Sequence, residues 1–177
     1  PAGTLTAREA DLLLAGILLD TNHFTKNTGT RTFSAALYLK GCGADVGEVQ
    51  EFFKTELEDF LRELKFHENV EIYRDITAIA VPGTDCSYKD KVPAAKAADK
   101  LLGVEGVAAS FAVVPIGDEV HISARSTGKI NVQLLLESLN GGGHFDSAGT
   151  RLEMTGAEKA VELLKHAIDS YFDEKKV

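Results

Sequence analysis

Hydrophobic residues recur every three or four positions in the first third of the chain, and this spacing predicts helices. The run EADLLLAGILL, preceded by a capping-box pattern at Thr6 and Glu9, is apolar nearly all round and predicts a buried helix. A second helix is predicted near 31–40, closed by the glycines of KGCGAD. A long amphipathic helix is predicted over 46–68, where it connects this helical part to the rest of the chain.

Beyond Asn69 the hydrophobic period shortens to about two residues, which is typical of strands. VEIYRD and ITAIAV predict two strands, and VAASFAVV and VHISARS, joined by PIGDE, predict a hairpin. Helices are predicted near 91–102, 132–139 and 156–174, with a strand TRLEM before the last of them. The predicted fold class is therefore α/β: a helical part and connector helix, followed by a mixed α/β sheet domain.

Composition and charge limit the function. The chain has 177 residues, of which 44% are hydrophobic and 26% charged, as in a globular protein with one or two small cores. No apolar run approaches the roughly 18 residues that cross a bilayer, so we expect a soluble chain. Cys42 and Cys86 have no paired spacing and predict free thiols rather than a disulfide or a zinc site. A net charge of −8 disfavours a general nucleic-acid coat, so a phosphate ligand would need a local site.

Asp20 ends the first predicted helix, in the sequence GILLDT. A carboxylate there faces the negative end of the helix dipole, and after a buried leucine-rich run it is predicted to be partly desolvated. A divalent cation would compensate, because hard cations bind carboxylate oxygens. Alternatively, the helix reaches the surface at Asp20 and a turn starts there. One carboxylate does not decide between the two.

The predicted strand VHISARS carries a second candidate site. Because alternate strand residues share a face, its side chains divide into two sets. Val120, Ile122 and Ala124 form the apolar set, and His121, Ser123 and Arg125 form the polar set. A guanidinium offers a planar fork of donors that suits a phosphate or carboxylate. An ordinary solvated sheet face is the alternative interpretation.

Three consecutive glycines, Gly141, Gly142 and Gly143, precede His144. One glycine is expected where a helix ends, but three exceed that need. Successive glycine amides can form an anion-binding nest, and an imidazole can bond a phosphate oxygen or stack on a base. A flexible turn with an incidental histidine stays open. A Walker loop is excluded because no Gly-Lys-Ser/Thr follows, and the order of elements does not fit a dinucleotide fingerprint.

These segments together resemble a known family. LLLAGILLDTNHF, GTRTFSAALYLKGCGAD, ISARSTGKINVQLLLESLNGGGH and LKHAIDSYF are similar to the C-terminal part of the DHH phosphoesterase superfamily, nearest to the GdpP-type cyclic-di-AMP phosphodiesterases. The resemblance implies a remnant of the catalytic DHH domain over 1–45, the connector helix over 46–68 and a DHH-associated substrate-binding domain over 69–177.

The resemblance also implies roles for individual residues. Asp20 corresponds to the last metal-binding aspartate of the catalytic domain, which holds two manganese ions in the intact enzyme. Arg125 and the loop 141–144 correspond to the substrate contacts, and strand geometry adds Ser123 to them. The family's adjacent Asp-His-His triplet is absent, since no two of the five histidines are neighbours. The chain therefore resembles a truncated form that begins inside the catalytic domain, and alone we expect it to bind no manganese.

For the intact protein, the resemblance implies a membrane-anchored hydrolase that opens cyclic di-AMP to the linear dinucleotide on the cytoplasmic side. The present chain would contact a cyclic dinucleotide or short oligonucleotide, but no long nucleic acid and no membrane, and would hydrolyse little by itself. Its apolar helices either pair two chains in a homodimer or are exposed by the truncation. An oligoribonuclease, a 3′-phosphoadenosine phosphatase, a RecJ-like exonuclease and a noncatalytic nucleotide-binding regulatory module stay open as alternatives.

Overall fold

A computed structural model describes residues 5–153 and 156–174 of the protein, and the chain divides into two compact units. The first unit ends at Thr55 and the second begins at Glu56. The helices are α1 (Ala7–Asp20), α2 (Thr30–Gly41), α3 (Val46–Glu51), α4 (Leu57–Leu64), α5 (Lys91–Leu101), α6 (Val132–Glu137) and α7 (Ala157–Glu174). The strands are β1 (Val70–Tyr73), β2 (Thr77–Ala80), β3 (Ala109–Ile116), β4 (Glu119–Ser126), β5 (Gly142–His144) and β6 (Ser147–Glu153).

Helix α1 of the first unit begins with the predicted capping box. The Glu9 amide donates to Thr6 Oγ1 at 3.3 Å, and the Thr6 amide donates to Glu9 Oε2 at 2.8 Å. The prediction that this helix is buried all round is wrong, because only one stripe of it is buried and Leu19 is 73% exposed. The unit has a small core that covers one side of the helix. That core consists of Ala10, Leu14, Leu18, Leu39, Ala44 and Val49.

The single helix predicted over 46–68 is two helices, α3 and α4, separated by residues 52–56. Asp45 begins α3 by accepting from the amides of Gly47 and Glu48 at 2.7 and 3.2 Å. Glu56 is extended, with ψ 149°, and begins α4. The apolar spacing continues through this break, which is why periodicity alone predicted one helix. The boundary between the two units falls at the same break.

The second unit contains a six-stranded sheet with strand order β1-β2-β3-β4-β6-β5. Strands β2 and β3 are parallel and joined through α5, and the other neighbours are antiparallel, which confirms the predicted mixed α/β sheet. Helices α6 and α7 contribute Leu135, Leu164 and Ile168 to the core that also holds Phe111 and Ile122 of the sheet. A second core lies on the other face of the sheet. It contains alanines of α5, Phe66 and the side chains of β2 and β3 that point to that face.

Strand β4 shows the predicted alternation: its even-numbered residues from Val120 to Ser126 are buried, and the odd-numbered ones are half-buried. Strand β6 confirms the predicted strand TRLEM up to Glu153, and Met154 lies outside the described residues. Within the described ranges, we find no helix with the length and apolar character needed to span a bilayer.

Candidate phosphate-binding face

Three adjacent strands bring four of the six predicted substrate residues, Ser123, Arg125, Gly142 and His144, onto one side of the sheet, whereas Gly141 precedes β5 and Gly143 belongs to the other side. Arg125 of β4 lies opposite Ser147 of β6, which lies opposite His144 of β5. Directly opposed residues of antiparallel strands project to the same face. Arg125 and His144 therefore share a face, with backbones about 10 Å apart across two strand spacings. The sequence predicted both residues, but not Ser147, which the register places between them.

A second row runs parallel to the first and is nearly free of side chains. Ser123 of β4 lies opposite Gly149 of β6, which lies opposite Gly142 of β5. Gly142 and Gly149 are both exposed. A flat group such as a nucleobase can approach backbone that lacks Cβ atoms. We call the two rows together the open face; it consists of Ser123, Arg125, Gly142, His144, Ser147 and Gly149.

The three consecutive glycines differ in whether the fold requires them. A Cβ on Gly141 would lie 2.7 Å from the Gly149 carbonyl oxygen and 2.9 Å from that of Leu136. Gly143 has a φ of +151°, which other residues rarely adopt, and a Cβ there would collide with the backbone of Ser147. A Cβ on Gly142 would meet nothing within 4 Å. Packing therefore explains Gly141 and Gly143, whereas at Gly142 it allows a side chain that the sequence does not have.

The glycines do not form the predicted anion nest. Gly142 to His144 are strand β5, paired with β6 at the edge of the sheet. A nest needs successive amides that converge on one point, as in a turn, whereas the amides of a strand point alternately to its two sides. Any phosphate on the open face would thus be held mainly by side chains.

The Arg125 side chain is 19% exposed and is fixed by two hydrogen bonds. Its Nε donates to Asp99 Oδ2 of α5 at 3.1 Å, and its Nη1 donates to the Ala124 carbonyl at 2.9 Å. His144, by contrast, is exposed. The face thus combines an anchored guanidinium with an accessible imidazole, and both can donate to a phosphate oxygen.

His121, on the same side of β4 as Arg125, belongs to a separate polar group. Its Nε2 lies 3.1 Å from Glu119 Oε2, and the Tyr88 hydroxyl donates to the same oxygen at 3.3 Å. Arg151 Nη1 lies 3.6 Å from the other oxygen of Glu119. Arg125 lies four positions along the strand from His121, a distance of about 13 Å. The polar strand face is thus divided between an internally paired group and the open face.

Asp20 is the last residue of α1 in the first unit, and it is exposed. The expected partial desolvation of Asp20 is therefore wrong, because the buried stripe of α1 ends at Leu18 and does not include Asp20. Among residues 5–153 and 156–174, no three His, Cys, Asp or Glu side chains are grouped to hold a metal ion. One exposed carboxylate does not fit a two-manganese centre, and the role of Asp20 as a metal ligand stays a prediction.

The sequence and fold are similar to those of known proteins. Residues 84–174 match the DHHA1 domain family, a range that includes the whole open face but not Asp20. The chain is 46% identical over 167 residues to the cyclic-di-AMP phosphodiesterase GdpP of Bacillus subtilis, covering 93% of this chain and 25% of that protein. It is also 46% identical over 165 residues to the cyclic-di-AMP phosphodiesterase PdeA of Listeria monocytogenes, again 93% of this chain and 25% of the relative.

A solved structure supports the fold. An exopolyphosphatase-related protein from Bacteroides fragilis superposes with a TM-score of 0.80 at 20% identity, over 97% of this chain and 53% of that one. The chain spans about a quarter of the length of the two curated relatives above. The family match and the shared segments agree with the resemblance inferred from the motifs. The chain belongs to the DHHA1 domain family and is a GdpP-type member of the DHH phosphoesterase superfamily.

Proposed function

We propose that this chain is the substrate-binding part of a phosphodiesterase that opens cyclic di-AMP to the linear dinucleotide. The observation that carries the proposal is the open face, where Arg125 and His144 stand in one row beside the bare row of Ser123, Gly149 and Gly142. Relatives at 46% identity are named cyclic-di-AMP phosphodiesterases, which supports a dinucleotide as the ligand.

The open face would bind and orient the phosphodiester. Arg125 and His144 would donate to the non-bridging oxygens, the Arg125 guanidinium would neutralise part of their charge, and Ser123 and Ser147 would add hydroxyl donors. The bare row would receive the adjoining sugar or base. Fixing the phosphate matters for catalysis because a displacement of about 1 Å can cost roughly a hundredfold in rate. Bond cleavage would require a group of residues that bind metal ions. The described part of this chain contains no such group.

Calorimetry tests whether the ligand is a dinucleotide and whether Arg125 and His144 bind it. We expect the 177-residue chain to bind cyclic di-AMP and linear di-adenylate, and to bind a short DNA strand of unrelated sequence more weakly. Arg125→Ala and His144→Ala should each weaken dinucleotide binding about tenfold or more, since each removes a charged or polar donor to phosphate. Equal affinity for all three ligands would count against a dinucleotide site, and unchanged affinity in both variants would place binding elsewhere.

Alanine substitutions of Gly142 and Gly141 test whether a ligand lies on the bare row. Gly142→Ala should leave the free energy of unfolding nearly unchanged, because its Cβ points into open space, yet weaken cyclic di-AMP binding about tenfold. Gly141→Ala is the matched structural control and should destabilise the chain by about 2 kcal/mol through its clash with backbone oxygens. Wild-type affinity in a folded Gly142→Ala chain would contradict a ligand lying on this row.

Incubation with manganese tests whether this chain binds the substrate without hydrolysing it. The purified chain should release no linear dinucleotide from cyclic di-AMP above the background of buffer with manganese, because a two-metal mechanism needs more ligands than Asp20. Turnover at a rate comparable to a full-length relative would overturn the proposal that this chain only binds substrate.

A further inference from the structure

We propose that Asp99 is a positioning residue that holds the Arg125 guanidinium with its Nη1 and Nη2 ends turned to a substrate phosphate. The inference rests on the proposed function, since it concerns the same open face. Its basis is the bond from Arg125 Nε to Asp99 Oδ2, 3.1 Å long, which joins α5 to β4.

The two hydrogen bonds of Arg125 leave donors on both Nη nitrogens available. An arginine has five N–H donors: one on Nε and two on each Nη nitrogen. Asp99 occupies Nε, and the Ala124 carbonyl occupies one donor of Nη1 at 2.9 Å. Among the described residues, Nη2 has no acceptor. Three donors therefore remain, one on Nη1 and two on Nη2, and one from each nitrogen can bind two phosphate oxygens in a bidentate arrangement.

The backbone around Asp99 is fixed relative to Arg125 by an independent contact. Ser110 of β3 is the register partner of Arg125, and its hydroxyl donates 2.6 Å to the carbonyl of Ala98, the residue before Asp99. Ala98 is fully buried in the core between α5 and the sheet. Strand β3 thus contacts both α5, which carries Asp99, and β4, which carries Arg125. The two side chains are therefore held at a fixed spacing before any ligand binds.

The exposure of the pair argues against a mainly structural role. Asp99 is 52% exposed and Arg125 is 19% exposed. Ion pairs with one partner in water contribute little to folding stability, because solvent screens the attraction. Restricting the guanidinium, in contrast, removes rotational freedom that a bound phosphate would otherwise have to suppress. Asp99 also places a negative charge near the phosphate, so orientation and charge act in opposite directions.

Two substitutions separate these effects. Asp99→Asn removes the charge but keeps an oxygen that can accept from Nε, whereas Asp99→Ala removes both. If Asp99 positions Arg125, calorimetry with linear di-adenylate should give a Kd about tenfold weaker for Asp99→Ala and within about twofold of wild type for Asp99→Asn. Asp118→Asn, an exposed carboxylate in the turn between β3 and β4, controls for the change in net charge.

The outcomes distinguish this inference from the proposed function. Tighter binding in both Asp99 variants would show that Asp99 only opposes the phosphate charge, and unchanged binding in both would show no role; either overturns the inference while leaving the site intact. In an Arg125→Ala background, Asp99→Ala should have no further effect, because the residue acts through Arg125. Should the wild-type chain bind neither cyclic di-AMP nor linear di-adenylate, the proposed function fails and Asp99 loses its role with it.

Discussion

The residue that ends α6 in the left-handed conformation is Asn140, not one of the glycines that follow it. Asn140 has a φ of 56°. Its amide donates to the Glu137 carbonyl at 3.1 Å, and the Gly141 amide donates to the Leu136 carbonyl at 2.8 Å. These two bonds form a Schellman motif with Asn140 at the left-handed position. Gly141 is therefore not needed at the left-handed position, and its missing Cβ allows the close contact with β6.

Substitutions at Asn140 should show the cost of a positive φ at the end of α6. Asn140→Ala should lower the free energy of unfolding by about 1 kcal/mol, because a Cβ without a compensating polar group is strained at positive φ. Asn140→Gly should be equal to wild type or more stable. Urea unfolding of both variants measures the difference, and equal stability of the alanine and glycine variants would contradict strain at this position.

The residues of the open face and Asp99 differ in how far the sequence predicts them. Arg125 and His144 were predicted from local patterns, an arginine on a polar strand face and a histidine after three glycines, and the family resemblance implied their roles. Gly149 and Asp99 were not predicted, since the roles proposed for them depend on strand register and on the packing of α5, which no local pattern encodes. Asp20 was expected to be desolvated because its helix is apolar, yet exposure depends on what packs beside it.

At the scale of elements, ion pairs hold helix α4 in place, rather than burial of its apolar side chains. Asp90, 1% exposed, lies 3.2 Å from Arg62 Nη1 and 3.8 Å from Lys65 Nζ, both at the end of α4. It also accepts from the Ser87 amide at 2.7 Å. Burial alone would raise the pKa of the Asp90 carboxyl, but the bonds from Ser87 and Arg62 outweigh it and hold the pKa below its usual value.

The lowered pKa predicts a pH-dependent contribution to stability. A carboxyl whose folded pKa is depressed stabilises the fold above its unfolded pKa, about 3.9, and this contribution disappears as pH falls through the folded value. Asp90→Asn should therefore cost about 2 kcal/mol at neutral pH, and progressively less below about pH 4. Denaturant unfolding across pH measures this, with Asp118→Asn as an exposed control. A loss that is the same at pH 3 and pH 7 would contradict the assignment.

Regular elements were largely predictable, and the exceptions have physical causes. The β3–β4 hairpin and helix α7 follow apolar periods that only one secondary structure satisfies. Strand β5 was not predicted, because three glycines have little intrinsic preference for a strand and the pairing with β6 supplies it. The break between α3 and α4 has a local signal that periodicity ignores: Glu58 and Asp59 in the first turn of α4 favour a helix start there.

At the scale of the whole molecule, the two units differ in their capacity to stabilise themselves. The described part of the second unit has two clusters, with 19 and 11 buried apolar residues, on the two faces of its sheet. The corresponding cluster of the first unit has six. On α1 and α2, Leu12, Leu19 and Leu37 are 54%, 73% and 75% exposed. The first unit therefore buries little apolar surface relative to its length, which is the condition under which small domains are marginal.

This difference predicts how the two units behave when separated. Residues 56–177 should unfold cooperatively and retain the dinucleotide affinity of the whole chain, since the open face and Asp99 all lie in that unit. Residues 1–55 alone should show no cooperative transition, because six buried apolar residues cannot offset the conformational entropy of a chain of that length. Circular dichroism during thermal unfolding checks both, and calorimetry with linear di-adenylate checks the affinity. A folded 56–177 chain that fails to bind the dinucleotide, while the whole chain binds it, would mean that the first unit contributes to the site.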